Sequence, residues 1–215
     1  MITFGNDGSL HIENCQISNA QNAGLELGIV TSRSNLKITH IANDYKGNER
    51  PVLSRANYFH VLDGDSDYIG NEVDVIDSRF GFSTPPIENL TWQKLNVPYL
   101  TGGVDIRGEL NIQAGTVVKV GGNSNKYIRT SMNGTLKVNG TSDNPVIIEG
   151  AESGSGTWLG IFLNSSGSNS ISHAIISGTG SGSHTTGAEL SAVLVRNSSL
   201  DLDNTTFRDG NGYGF

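Results

Sequence analysis

The last eighteen residues, SSLDLDNTTFRDGNGYGF (198–215), lie without a gap over GSLHIENCQISNAQNAGL (8–25). Leu10 meets Leu200, Ile12 meets Leu202, Asn14 meets Asn204, Cys15 meets Thr205, Ile17 meets Phe207 and Gly24 meets Gly214. The same frame recurs inside the chain. ISHAIISG (171–178) sets Ile171, His173, Ala174 and Ile176 into it, and LKITHIAN (36–43) fits its first half with Leu36, Ile38, His40 and Ile41. The frame is apolar–x–apolar–x–(Asn or His)–small–x–apolar, followed by turn residues.

Alternation over two residues marks a short strand with one face inward. The Asn or His then stands where the strand bends, and a second short strand follows. Matching positions some 20–30 residues apart stack when the chain coils, which lets a solenoid bury a core that no single repeat can bury. Gly and Asn tolerate positive φ at the corners, and stacked Asn amides can bond to the next coil. No long segment keeps a 3.6-residue apolar period. These features predict an all-β chain, a right-handed parallel β-helix, with His40 and His173 on the Asn ladder. The competing fold, an antiparallel sandwich, requires hairpins with two-residue NG or DG turns.

Between Val52 and Pro98 the text changes. Tyr58, Phe59, Tyr68, Phe80, Phe82, Trp92 and Tyr99 concentrate the aromatics, and Pro85-Pro86 mark a break. The expected organisation is therefore a first set of coils over 1–55 and a crossover or cover over 56–98. A second β-helix unit follows over 99–215, incomplete at its C-terminal end. There the coils resume as ELNIQAGTVVKV (109–120), GTLKVNGTSDNPVIIEG (134–150) and GTWLGIFL (156–163). With LTWQKLNVPYL (90–100) before them, these stretches resemble the large surface and secreted β-helix proteins of bacteria. The resemblance covers residues 90–215, with 1–80 as the tail of a preceding unit. It implies a fold and an extracellular or cell-surface setting, and it implies no catalytic residues.

The chain has 215 residues, 35% of them hydrophobic and 16% charged, with 28 glycines and a net charge of -7. Such low apolar and charged content suits a Gly/Asn/Ser/Thr-rich β protein once the apolar residues are this regularly placed. An acidic balance argues against nucleic acid or an anionic membrane as partner, since both need a basic face. No run of about 18 apolar residues exists to span a membrane. One cysteine, Cys15, excludes an internal disulfide framework, and its small counterparts in other repeats predict a packed thiol.

Two constellations carry candidate chemistry. DGDSDYIGNEVD (63–74) spaces Asp63, Asp65, Asp67, Asn71 and Asp74 as a calcium loop spaces its ligands, although Tyr68 stands where such a loop needs Gly. Calcium is thus the one cofactor the sequence suggests. Near the C-terminus Asp201, Asp203, Arg208 and Asp209, with Arg196 one coil turn away, are candidate carbohydrate contacts. Asp201 and Asp203 alternate with Leu200 and Leu202, so both point outward from one strand. No catalytic residue is assigned: the Asn-Thr-Asp, Asp-Asp, Gly-His-Gly and Arg-Ile-Lys signatures of pectin hydrolases are missing, as is G-x-S-x-G. The five histidines, including His184 in a long loop, lack zinc spacing.

The expectation is a non-catalytic extracellular or cell-surface β-helix acting as stalk, adhesin segment or filament subunit. The alternative is a carbohydrate-binding or polysaccharide-degrading (lyase or hydrolase) β-helix, which requires carboxylates and Arg to converge on one groove. The sequence by itself shows no such convergence. The matching ends predict head-to-tail self-association, or further β-helix units at both ends.

Overall fold

The computed structural model describes residues 2–4, 9–27, 37–82, 87–121, 127–183 and 190–212. Leu36, Pro85, Pro86, His184, Tyr213, Gly214 and Phe215 lie outside them, as do the side chains of Phe80 and Phe82. The chain climbs in turns, each laying strands on those of the turn before. β1 (Ile2–Phe4) precedes β2 (Ser9–Glu13), β3 (Gln16–Ser18) and β4 (Ala23–Leu27). The next turn supplies β5 (Lys37–Ile41), β6 (Asp44–Lys46) and β7 (Arg50–Leu53). A 3-10 helix, Ala56–Val61, and β8 (Ile76–Phe82) follow, then β9 (Leu90–Trp92) and the long β10 (Tyr99–Ile106). From there three strands per turn become regular: β11 (Glu109–Gln113), β12 (Val117–Val120), β13 (Tyr127–Thr130); β14 (Thr135–Asn139), β15 (Val146–Gly150), β16 (Gly160–Leu163); β17 (Ser168–Ser172), β18 (Ala174–Ser177), β19 (Val193–Val195). β20 (Ser199–Asp203) and β21 (Thr206–Arg208) complete the described stack.

Among the described strands every pairing is parallel, and all but β7 with β8 join strands that are not consecutive in the chain. The architecture is that of a right-handed parallel β-helix, and the antiparallel sandwich is excluded. A 12-stranded sheet runs β1-β4-β7-β8-β10-β12-β15-β18-β21, and β13, β16 and β19 branch from the second half of β10. A second face carries β20-β17-β14-β11-β9, and the first turns add the pairs β2-β5 and β3-β6. The long sheet passes through the segment 56–98 by way of β8 and β10 without a break. The 3-10 helix packs against both β5 and β9, so it occupies the level where a strand would join those two.

Register explains the core. Leu25, Val52, Ile76, Tyr99, Val118, Ile148 and Ile176 partner one another in series, and each is fully or almost fully buried. Each aliphatic member of such a column contributes about 1.5–3 kcal/mol relative to exposure. The aromatic-rich segment fills the wider interior beside the 3-10 helix. Phe59 packs on Trp92 and Tyr99 at 5.2 and 4.8 Å between ring centroids, all three with no exposed surface. Trp158 is likewise buried, and its Nε1–H donates to Ser177 O at 2.7 Å.

The bends follow the predicted frame at Asn14, His173 and Asn204, whose φ values are 51°, 46° and 44°. Three details differ. β5 pairs with β2 so that His40 lies against Ile12, and the bend falls on Ala42 (φ 48°). His40 is therefore an interior residue two positions before the corner. Ile17 and Phe207 also part company: β21 belongs to the long sheet, where the first turn contributes β4, while β3 pairs only with β6. An additional short strand at the N-terminal corner causes the difference. Finally, Leu10, Leu200 and Phe207 are only partly buried against the core and Leu202 is exposed, because no described strand pairs with the outer edge of β2 at one end or of β20 and β21 at the other. Cys15 is an exposed free thiol, its Sγ–H donating to Glu13 O at 3.3 Å, and not the packed thiol expected.

Candidate functional site

Strand alternation that buries one column exposes the next. Beside the core column of the long sheet, Lys119 partners Glu149, which neighbours Ser177, which partners Arg208. Neighbouring strands lie about 4.8 Å apart, so the four side chains form a polar row about 14 Å long. At its edge the chain leaves β15 into the turn Gly150–Gly154, which raises a rim carrying Glu152. Lys119, Glu149, Glu152, Ser177, Arg208 and Asp209 line the resulting groove, of about 370 Å³. Lys119 Nζ lies 3.7 Å from Glu149 Oε1, and Arg208 Nε lies 3.8 Å from Asp209 Oδ2.

The groove owes its shape to two glycines. A Cβ on Gly150 would meet Thr157 Oγ1 at 1.7 Å, and Gly178 adopts φ +75°. Thr157 Oγ1–H donates to Gly178 O at 3.1 Å and ties the rim to the next coil. The surface therefore offers donors from Lys119 and Arg208, acceptors from Glu149, Glu152 and Asp209, and a hydroxyl from Ser177 that does both. Among the described residues no aromatic ring lines it.

Of the five predicted carbohydrate contacts, Arg208 and Asp209 stand in this groove. Asp201 and Asp203 are exposed on β20, on the five-stranded face, where Asp203 Oδ2 lies 4.0 Å from His173 Nε2. Arg196 follows β19 on a third face, exposed, with its N–H bonded to Leu163 O. The five do not converge. Lys119, Glu149 and Glu152 complete the groove instead, and two of them were readable in register: Val118-Lys119, Ile148-Glu149, Ile176-Ser177 and Phe207-Arg208 each place an outward residue after a core one.

The residues of the proposed calcium loop point to separate partners. Asp63 Oδ1 accepts from Ala42 N and Asp65 N, at 3.2 and 3.0 Å. Its Oδ2 accepts from His40 Nδ1 and Ser66 Oγ, at 2.5 and 2.8 Å. Both oxygens of Asp63 are thus engaged within the chain. Burial works to raise the Asp63 pKa, but the hydrogen bonds from Ser66 and His40 outweigh it and hold the carboxyl below the usual range. Asp67 accepts from Ile69 N and Asn96 Nδ2, and Asp74 from Gly70 N and Asn71 N. Asn71 Oδ1 accepts from Asn48, and Asp65 is exposed. Among the described residues no group of three or more His, Cys, Asp or Glu is placed to hold a metal ion.

A family model described as a pectate-lyase like beta helix domain matches residues 84–195. Comparison with curated proteins and with solved structures finds no match.

Proposed function

The chain belongs to the pectate-lyase-like β-helix domain family, and from that premise we propose that it is a non-catalytic β-helix of the cell surface or extracellular space, an adhesin-type segment that holds a polysaccharide strand in the groove of its long sheet. The observation that carries this reading is the row Lys119–Glu149–Ser177–Arg208 under the Gly150–Gly154 rim. Sugar hydroxyls donate and accept, and a row alternating donors with acceptors meets both needs. The row also runs along the solenoid axis, the direction in which a long polymer can lie.

Exposure argues against hydrolysis in this groove. Glycoside chemistry needs a carboxyl kept protonated in a desolvated pocket, opposite a second that stays charged. The Glu149 and Asp209 side chains are 31% and 66% exposed and stand beside Lys119 and Arg208. Water reaches both, whereas a hydrolase encloses such a pair.

The test is titration of the protein with polygalacturonate and with a neutral glucan, followed by analysis of polymer length. Saturable binding to at least one, with its length unchanged, is expected. Replacing Lys119 or Arg208 by Ala removes a charged hydrogen-bond donor and should weaken that binding about tenfold or more. Shortened polymer or unsaturated ends would make the chain a hydrolase or lyase. Equal binding by wild type and both variants would move the site elsewhere.

A further inference from the structure

The corners of the later turns carry a sequence motif that the groove does not use. Asn-x-Ser or Asn-x-Thr, with x other than Pro, is the acceptor pattern for N-linked sugar. The chain holds it at Asn89, Asn133, Asn139, Asn164, Asn197 and Asn204. Nine asparagines precede Asn89 and none of them opens the motif, so it does not follow asparagine content alone. All six lie at the corners that flank the five-stranded face. Asn89, Asn133, Asn164 and Asn197 lead into β9, β14, β17 and β20, while Asn139 and Asn204 stand at the far ends of β14 and β20.

Their surroundings sort these positions. Asn89, Asn197 and Asn204 hold φ of 51°, 52° and 44°, a conformation that asparagine tolerates better than most residues. The backbone by itself therefore accounts for asparagine there. Asn89 Oδ1 also accepts from Glu109 N at 3.0 Å, which ties it to the next turn. At Asn139 and Asn204 the amide nitrogen already donates, to Asn111 Oδ1 at 2.8 Å and to Asp203 Oδ2 at 2.9 Å. Asn164 is half-buried.

Asn133 differs on each count. It lies in a four-residue turn closed by Gly134 N–H, which donates to Ser131 O at 2.9 Å, and the positive φ of that turn, 57°, belongs to Met132. Backbone conformation does not call for asparagine at 133. The residue is exposed and Met132 beside it is 69% exposed, so the turn stands clear of the body. Asn133 Oδ1 accepts from Ser166 Oγ–H at 3.0 Å, and among the described residues its Nδ2 has no hydrogen-bond partner. Nδ2 is the atom that carries an N-linked sugar. A substituent there leaves Oδ1 and its bond in place and displaces no donor, so the folded turn accommodates it without losing a hydrogen bond.

We infer that Asn133 is a glycosylation site, read together with Thr135 as an Asn-Gly-Thr acceptor by a glycosyltransferase that uses a sugar diphosphate as donor. In the transfer, the bond between sugar C1 and the diphosphate oxygen breaks and C1 forms a bond to Nδ2. One amide hydrogen leaves as a proton to a base of the transferase, and the diphosphate departs with the electron pair. Thr135, partly buried at the start of β14, brings the hydroxyl that completes the motif. The sugar stands at a corner of the five-stranded face, whereas the groove lies on the long sheet. Neither Asn133 nor Thr135 lines that groove, so this inference goes beyond polysaccharide binding and stands or falls separately from it.

The test is peptide mapping by mass spectrometry of the protein purified from the cells that make it. A hexose or N-acetylhexosamine on Asn133 is the expected result. A single sugar marks a nucleotide-linked donor, and a preassembled oligosaccharide marks a lipid-linked one. Thr135→Ala should abolish the modification although Asn133 is retained, and Thr135→Ser should keep it. Sugar that persists on Asn133 in Thr135→Ala would overturn the inference, because no reader of the motif could have placed it. A bare Asn133 in the wild type overturns it too, whatever the other five positions carry and even if a variant does not fold.

Discussion

At the scale of the residue, Asn169 shows how a polar side chain holds a place in an apolar stack. Leu90, Leu110, Leu136, Asn169 and Leu200 occupy one column of the five-stranded face. Asn169 is buried, accepts from Leu136 N at 2.8 Å and donates to Ser198 Oγ at 2.7 Å and Ser199 O at 3.0 Å. Asn169→Ala leaves these partners inside without replacement and should cost about 1–3 kcal/mol. The change is read as a lower urea midpoint at unchanged slope. His40 marks where residue-level reading failed. An Asn and a His look interchangeable in the repeat frame, but the corner requires positive φ, and in that turn Ala42 supplies it. Alanine gives no sequence signal for such a conformation, so the frame slipped by two residues. The exposed thiol of Cys15 was missed for a related reason, since similarity to small residues reports size and says nothing of which side faces water.

At the scale of the element, the strands were legible because inward positions alternate with polar ones in ELNIQ, TLKVN and SIS. The 3-10 helix was not, because ANYFHV has neither period. Its place was decided by the volume of Phe59 against Trp92 and Tyr99. The groove was half legible: Arg208 and Asp209 were named, while Lys119 and Glu149 are distant in sequence and meet only through parallel register. Asp201 and Asp203 share a strand, and that strand belongs to a different face. Close stacking of turns also makes some glycines obligatory. A Cβ on Gly134 would meet Ile106 O at 2.0 Å, a backbone atom with little room to retreat. Gly134→Ala should therefore destabilise by about 1–3 kcal/mol through overpacking. Thermal melting checks it, and an unchanged midpoint would mean that the turns can separate there without cost.

At the scale of the whole molecule, one long parallel sheet connects all the described turns and carries the groove on the later ones. There three strands per turn are regular. The architecture was the most legible property of the sequence, since every turn repeats the same physical solution. Function was the least, because it depends on which outward residues share a face. The measurement that bears most directly on that function is an NMR map of the backbone amides during titration with the polysaccharide that binds. Shifts confined to Lys119, Glu149–Gly154, Ser177, Arg208 and Asp209, with the polymer still at full length afterwards, are the predicted result. Shifts centred on Asp201 and Asp203, or a polymer cut during the titration, would contradict it.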